Sequence, residues 1–390
     1  MESVPLNGRE EVRFELRRPN DIASGTYFEK GDVLLSKITP SFENGKQGLG
    51  DNIPAPFGVA STEIIPIQAI TPEANHRYLF YYLLHPEVRA ALVGKMEGTT
   101  GRQRVPEHAV RDFLVPMPPK LEQMKISTVL RKVRRGIEVE EKLAAIAREL
   151  KQSAMRQLFT HGLRNEPQKE TDEGTVPKSW IMQPIRANAR LIAGGTPSRG
   201  VKEFWTGGTI PWVKTGQVDY CVINDTDEKI TPVGLANSAA KMLPKGALLI
   251  AMYGQGITRG KVAILGIDAA TNQACAGIIP TTDKLKPLFL YYYLTFSYDR
   301  LRSFSHGAQQ QNLNAELVGS FKVPQADPDE QTEIATILQT IDRKISVHER
   351  KGAALSDLFQ TMLNQLMTAQ IRVDKLDIDT REVTALNPQS

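Results

Sequence analysis

The stretches EQMKISTVLRKVRRGIEVEEKLAAIARELKQSAMRQL (122–158) and EQTEIATILQTIDRKISVHERKGAALSDLFQTMLNQL (330–366) decide the fold, because the second repeats the first. The offset is 208 residues and holds without a gap. Ile126, Leu130, Val133, Ile137, Leu150, Met155 and Leu158 fall on Ile334, Leu338, Ile341, Ile345, Leu358, Leu363 and Leu366. An apolar face kept in register over about ten helical turns marks an internal repeat. The chain reads as two copies of one unit, each a globular part followed by a long helix. Such a chain suits a target that itself has two parts.

Outward from the repeat, Pro118-Pro119 punctuates the entry to the first helix, and no proline follows until after Thr160. The 3–4 apolar spacing narrows through Ala144, Ala147 and Ala154, giving a coiled-coil-like seam of Leu130, Val133 and Ile137 with Leu338, Ile341 and Ile345. Forty residues of helix extend about 60 Å. The division expected is a globular part over 1–118, a long helix over 119–163, a polar linker over 164–179, a second globular part over 180–326, a second helix over 327–369 and a loosely ordered tail over 370–390. Val33-Leu34-Leu35 and Ile64-Ile65-Pro66 predict strands, and Asn75 to Val93 one helix. Lys30-Gly31, Ile64-Ile65-Pro66 and LFYYLL (79–84) recur as Lys245-Gly246, Ile278-Ile279-Pro280 and FLYYYL (289–294). The aromatics Tyr78, Phe80, Tyr81 and Tyr82, with Phe289, Tyr291, Tyr292 and Tyr293, are read as core packing rather than base-stacking groups. Between framework positions the two globular parts diverge, SKITPSFENGKQG (36–48) against AMYGQGITRGK (251–261).

A net charge of +4 permits nucleic-acid binding without requiring it. Two cysteines, Cys221 and Cys275, argue against a disulfide-built secreted protein, and both are read as buried small apolar residues. The polar start MESVPLNGRE and the lack of a long apolar run point to a cytoplasmic protein without a membrane span. The six histidines show no metal-ligand spacing, so no metal site is expected. His348 occupies the seam position of Glu140 and is read as a register-setting residue or a partner of that carboxylate. No phosphate-binding Gly-rich loop, dinucleotide fingerprint or nucleophile elbow is present, so no catalytic residues are assigned.

GGTPSRGVKEFWTGGTIPWVKTGQV (194–218) and ITPVGLANSAAKMLPKGALLIAMYG (230–254) resemble the opening of a target recognition domain in the specificity subunits of Type I restriction-modification systems. QLFTHGLRNEPQKETDEGTVPKSW (157–180) looks like that family's joint between first helix and second domain, and LMTAQIRVDKLDID (366–379) like its C-terminus. The similarity covers nearly the whole chain. It implies an α+β fold: two mixed α/β target recognition domains separated by a long antiparallel two-helix coiled coil, with a pseudo-twofold internal repeat. It further implies a non-catalytic subunit that reads a bipartite, asymmetric site on double-stranded DNA. Two methyltransferase subunits using S-adenosylmethionine and two restriction/translocase subunits using ATP and Mg would be its partners, with no cofactor in this chain. One departure stands out. Trp180 lies 65 residues before Lys245, whereas 29 residues precede Lys30, so the first recognition domain is expected to be N-terminally incomplete by about 35 residues relative to the second. Two other readings stay open: the specificity part of a split or truncated methyltransferase-restriction enzyme, and a coiled-coil adaptor.

DNA affinity comes from Lys and Arg on phosphates, discrimination from side chains that reach base edges. In the second domain the candidates are Tyr253, Gln255, Thr258, Arg259 and Lys261, where glycines let the backbone approach closely, and Gln309, Gln310, Gln311 and Asn312, whose amides suit adenine. The counterparts in the first domain are Arg102, Gln103 and Arg104, with Lys37, Thr39, Lys46 and Gln47 as a weaker set. Arg199, Lys202 and Lys214 are candidates for phosphate contact. For each loop the competing reading is an ordinary solvated turn, and for the last three, scattered surface charge.

Overall fold

A computed structural model of the chain describes residues 2–70, 72–99, 101–254, 256–304 and 312–380. The first long helix spans Lys120–His161 and the second Pro328–Met367. Proline at the second helix's first position has its φ preset and no amide to leave unpaired. Gly162, at φ +64°, ends the first, its N–H returning to the Leu158 carbonyl.

The chain divides into two compact units, Met1–Leu143 with Val347–Ser390, and Ala144–Ser346. This differs from a serial division into head, helix, head and helix. Each unit takes the first half of one long helix and the second half of the other. Antiparallel packing causes this, because it sets the start of one helix beside the end of the other. In unit 1 the register is fixed by Arg372 on Glu122 (2.5 and 2.7 Å) and His348 Nδ1 on Glu140 (2.6 Å). In unit 2 it is fixed by Lys151 on Asp342 (2.6 Å) and by the Leu163 N–H donating to Glu330 (2.7 Å).

In unit 1 the strands are β1 (Thr26–Glu29), β2 (Val33–Ser36), β3 (Gln47–Leu49), β4 (Phe57–Ala60) and β5 (Ile64–Ile67). An antiparallel sheet runs β3-β2-β5, and β1 pairs with β4. Helices α1 (His76–Leu84) and α2 (Pro86–Val93) replace the single helix expected, since Pro86 cannot continue the ladder. A short α3 (Glu107–Arg111) leads to the first long helix. Unit 2 opens with a hairpin, β6 (Gln168–Thr171) and β7 (Gly174–Pro177), inside the segment expected as a linker. Its Val176 is buried in the unit's core, so this polar stretch is structured. Strands β8 (Ile181–Pro184), β9 (Ala189–Ala193), β10 (Ile210–Val213), β11 (Val222–Ile223) and β12 (Glu228–Ile230) precede the short helix α4 (Pro232–Ala236). Then come β13 (Leu248–Ala251), β14 (Val262–Leu265), β15 (Ala270–Thr271) and β16 (Cys275–Pro280), helices α5 (Pro287–Phe296), α6 (Tyr298–Ser303) and α7 (Ala315–Ser320), and β17 (Lys322–Gln325), which pairs with β8.

The main sheet of unit 2 runs β11-β14-β13-β16-β9, and a smaller one β12-β10-β15. The trio β14-β13-β16 repeats β3-β2-β5. The parallel pairing of β11 with β14 shrinks in unit 1 to one bridge, Glu11 to Leu49. Among the described residues of unit 1, no strand stands beside β5 where β9 flanks β16, nor beside β4 where β10 flanks β15.

One apolar core per unit joins head to helices. In unit 1, Tyr78, Phe80 and Tyr81 of α1 pack with Ile126, Leu130, Ile137, Phe359 and Leu363. In unit 2, Phe289, Leu290 and Tyr292 of α5 pack with Met155, Phe159, Ile334, Leu338 and Ile341. Val133 and Ile345 sit partly buried at the edges of these cores. Leu150 and Leu358 leave the seam and are exposed. The 3.6-residue turn carries Lys151 onto the packed face instead, where it meets Asp342. The tail also departs from expectation: Val373 is buried and the Lys125 ammonium donates to the Asp374 carbonyl. Cys275 is buried but Cys221 is exposed, in the bend after Tyr220 at φ +52°.

The repeated Glu-Gln pair explains much of this. Gln123 is fully buried; its carbonyl accepts from the Asn75 N–H (2.9 Å) and its amide donates to the carbonyls of Glu73 (2.9 Å) and Pro118 (2.7 Å). Gln331 repeats the set with the Lys286 N–H and the Lys284 and Ala326 carbonyls. Each glutamine locks a long helix onto the loop that feeds the aromatic helix of its own unit. The preceding glutamates hold the chain just past the end of the opposing helix, Arg372 in one case and Leu163 with the Trp180 indole in the other.

Candidate nucleic-acid interface

The candidate loops lie at the same place in both units. In unit 2 the β13–β14 turn carries Tyr253 to Lys261, and Gly254, Gly256 and Gly260 all take positive φ there. Such backbone conformations strain any residue with a Cβ. The Leu313 N–H donates to the Met252 carbonyl (3.1 Å), so the segment holding Asn312 enters beside this turn. In unit 1 the β2–β3 turn carries Lys37 to Lys46, and the Val105 N–H donates to the Lys37 carbonyl (2.9 Å). Val105 and Leu313 are repeat equivalents. One backbone hydrogen bond therefore joins the two candidate loops of each head in the same way, although their side chains differ.

Tyr253 and Asn312 are exposed, while Thr258 and Arg259 are half-buried. Gln255, Gln309, Gln310 and Gln311 lie outside the described residues. Tyr298 and Arg302 of α6, which sequence reasoning missed, support the turn. The Tyr298 hydroxyl donates to the Ile257 carbonyl, and Arg302 donates to that hydroxyl (2.8 Å) and to the Arg259 carbonyl (3.4 Å). The only sequence signal for them is a Tyr/Arg pair at i, i+4 on one helix face.

The basic candidates are mostly held by carboxylates. Lys261 pairs with Asp219 (2.6 Å). Arg199 stacks on Trp205, 3.7 Å from the ring centre, and pairs with Glu228, which also accepts Lys214 (3.2 Å). Arg199 first, and Lys214 second, hold the Glu228 carboxyl below its ordinary range. Arg199 and Lys214, candidates for phosphate contact, thus converge on one carboxylate. Lys202 stands exposed in a short helical turn. In unit 1, Lys37 pairs with Glu107 (3.3 Å), the Thr39 hydroxyl donates to Glu43 (2.9 Å), and Arg104 grips Glu63 with two nitrogens (2.8 and 2.7 Å). Arg102 is exposed, Lys46 and Gln103 half-buried. Gln47 must be struck from the set. It is fully buried, donates to the Phe80 carbonyl (2.6 Å) and accepts from Arg89 (2.6 Å), because its place in β3 points it into the core.

The GGTPS turn has a steric reason. A Cβ on Gly194 would lie 2.1 Å from the Asn272 carbonyl oxygen, and one on Gly195 2.2 Å from the Ala240 nitrogen. The Trp212 indole N–H donates to the Gly195 carbonyl (3.0 Å), locking that turn to β10. Among the described residues no group of three or more His, Cys, Asp or Glu could hold a metal ion. No helix of the described residues is long and apolar enough to cross a membrane.

Two heads with one framework and different loops, each packed on a half of both long helices, define a duplicated recognition scaffold. The model of the Type I restriction modification DNA specificity domain matches residues 21–148 and again 187–356. The chain therefore belongs to the Type I restriction-modification DNA specificity family. It is 29% identical over 194 residues to the Type I restriction enzyme MjaIX specificity subunit of Methanocaldococcus jannaschii, a match covering 49% of this chain and 44% of that protein. The putative MjaX specificity subunit of the same organism is 23% identical over 348 residues, covering 88% and 79%. In structure the chain is similar to a Type I restriction-modification S subunit from M. genitalium, with a TM-score of 0.60 at 14% identity, covering 94% of this chain and 90% of that one. A second solved structure, from work on assembly and conformational transition of a Type I system, gives 0.54 at 19%, covering 88% and 83%. At such identities these two likenesses establish the fold.

Proposed function

We propose that this chain, a DNA sequence-specificity subunit by family, reads a bipartite duplex site, one half with the β2–β3 turn and residues 98–104, the other with the β13–β14 turn and residues 306–312. The observation that carries this is the shared backbone bond, Lys37 to Val105 and Met252 to Leu313, beneath loops of unlike sequence. A common framework with divergent reading loops gives two different half-sites. Arg102, Tyr253 and Asn312 are the proposed base-edge contacts, a reading supported by their exposure. The long helices act as a spacer whose length fixes the gap between half-sites, of the order of one turn of duplex, about 34–36 Å. The chain does no chemistry. Two methyltransferase subunits supply S-adenosylmethionine-dependent methylation, and two restriction/translocase subunits supply ATP- and Mg-dependent cleavage.

The test is anisotropy binding with methyltransferase subunits present, using duplexes drawn from methylated sites in the host genome. A bipartite consensus bound tightly, with affinity falling steeply as salt rises, supports the reading. Equal affinity for random duplex, or a homodimer that excludes methyltransferase subunits, overturns it.

A further inference from the structure

A cavity of about 500 Å³ in unit 1 lies between residues 9–13 and the first half of the first long helix. Six basic side chains line it: Arg9, Arg13, Arg131, Arg134, Arg135 and Lys142. Most of the carboxylates there are already engaged. Glu10 takes the Tyr81 hydroxyl (2.7 Å), Arg77 (3.3 Å) and Arg131 (3.2 Å), and Glu141 takes Arg9. Glu11, also at the wall, is exposed. Arg134 is different. Its side chain is 6% exposed, and neither Nε nor one terminal nitrogen finds a hydrogen-bond acceptor. It forms ion pairs with Glu138 at 3.5 Å and Glu141 at 3.9 Å, neither of which meets hydrogen-bond geometry. A buried guanidinium left short of acceptors is costly, and an oxyanion is its natural complement. The framework does not demand this charge. The repeat equivalent of Arg134 is Asp342, which pairs with Lys151 and accepts a hydrogen bond from the Tyr292 hydroxyl, and that of Arg131 is Gln339.

We propose that this cavity binds a phosphate group, held by Arg134 with Arg131 and Arg135 beside it. Its source is either a small phosphate or the backbone of bound duplex. Only the second source rests on the DNA-reading proposal.

Thermal unfolding of the full chain with inorganic phosphate, against chloride at equal ionic strength, tests the first source. Saturable stabilisation of about 2–4 °C is expected, absent in Arg134→Met and larger in Glu138→Gln, which removes the competing carboxylate. Salt-dependence of duplex binding tests the second. If phosphate alone has no effect but the salt slope of Arg134→Met falls by about one, the ligand is a backbone phosphate. No phosphate response together with an unchanged slope overturns the proposal. Should Arg134→Met not fold, Glu138→Gln decides: a response matching the parent chain in both assays also overturns it.

Discussion

At the residue scale, the most consequential side chains are the two buried glutamines that open the long helices. Each satisfies one backbone N–H and two carbonyls at a site closed to water. Replacing Gln123 or Gln331 by alanine should destabilise the affected unit by about 2–4 kcal/mol, since buried groups lose partners that water cannot replace. Denaturant titration followed by hydrogen exchange would place the loss in one unit for each variant; a neutral result would remove the locking role. Trp180→Phe tests the paired glutamate. It deletes the indole bond to Glu330 and should cost roughly 1–3 kcal/mol in unit 2. Arg104 makes a pH prediction. Its hydrogen bonds hold the Glu63 carboxyl below the usual range, so the pair stabilises the fold above the ordinary carboxylate pKa and that contribution fades as pH falls through the depressed value. In Arg104→Gln the Glu63 titration followed by NMR should move up; an unmoved midpoint would show that the pair does not set it.

At the element scale, the two long helices are stable because of what packs against them. Their apolar face is shared by the partner helix and the aromatic helices α1 and α5, so the repeat's seam is a three-way junction. Leu130 and Leu338 are each fully buried in it. Leu130→Asp or Leu338→Asp should cost more than about 4 kcal/mol, because an unpaired carboxylate replaces a side chain worth roughly 1.5–3 kcal/mol of burial. Leu150→Asp, on the exposed side, should stay within about 0.5 kcal/mol. Circular dichroism melts of the three variants separate these outcomes, and comparable losses at positions 130 and 150 would contradict the packing described. His348 and Glu140, repeat equivalents that meet at 2.6 Å, mark where matching turns of the two helices come together. Equivalent positions of antiparallel copies meet only there.

At the scale of the whole molecule, the duplication predicts modular behaviour. Under the proposed bipartite reading, substituting residues 180–326 by the corresponding part of a family member with another specificity should change one half-site and leave the other and the spacing intact. Inserting four residues into each long helix, about one turn, should lengthen the spacing and leave both half-sites unchanged. Methylome sequencing of hosts expressing each chimaera reads both results. A change of both half-sites after the single-domain exchange would contradict independent reading. The compact units found here bear on the exchange, since each head shares its core with parts of both helices. A junction that preserves the Glu-Gln pair and the segment following each helix should fold better than one cut at the helix boundaries.

By itself the sequence determined the repeat, the two long helices, the aromatic framework and the family. All of these rest on periodicity and on spacing along one chain, and burial follows directly from them at Leu130, Leu338, Tyr81 and Tyr292. The tertiary structure alone decided which polar residues are spent internally. Gln47 looked like a reading residue and is a core hydrogen-bonder; Lys261, Arg199 and Lys214, candidates for DNA contact, are paired with carboxylates. It also folded the expected linker into a hairpin, seated Val373 on unit 1, and left the Arg134 guanidinium buried and short of acceptors. The physical reason is common to all of these. Apolar period is a property of one element, whereas the partner of a charge or an amide is chosen by contacts between residues far apart in the chain.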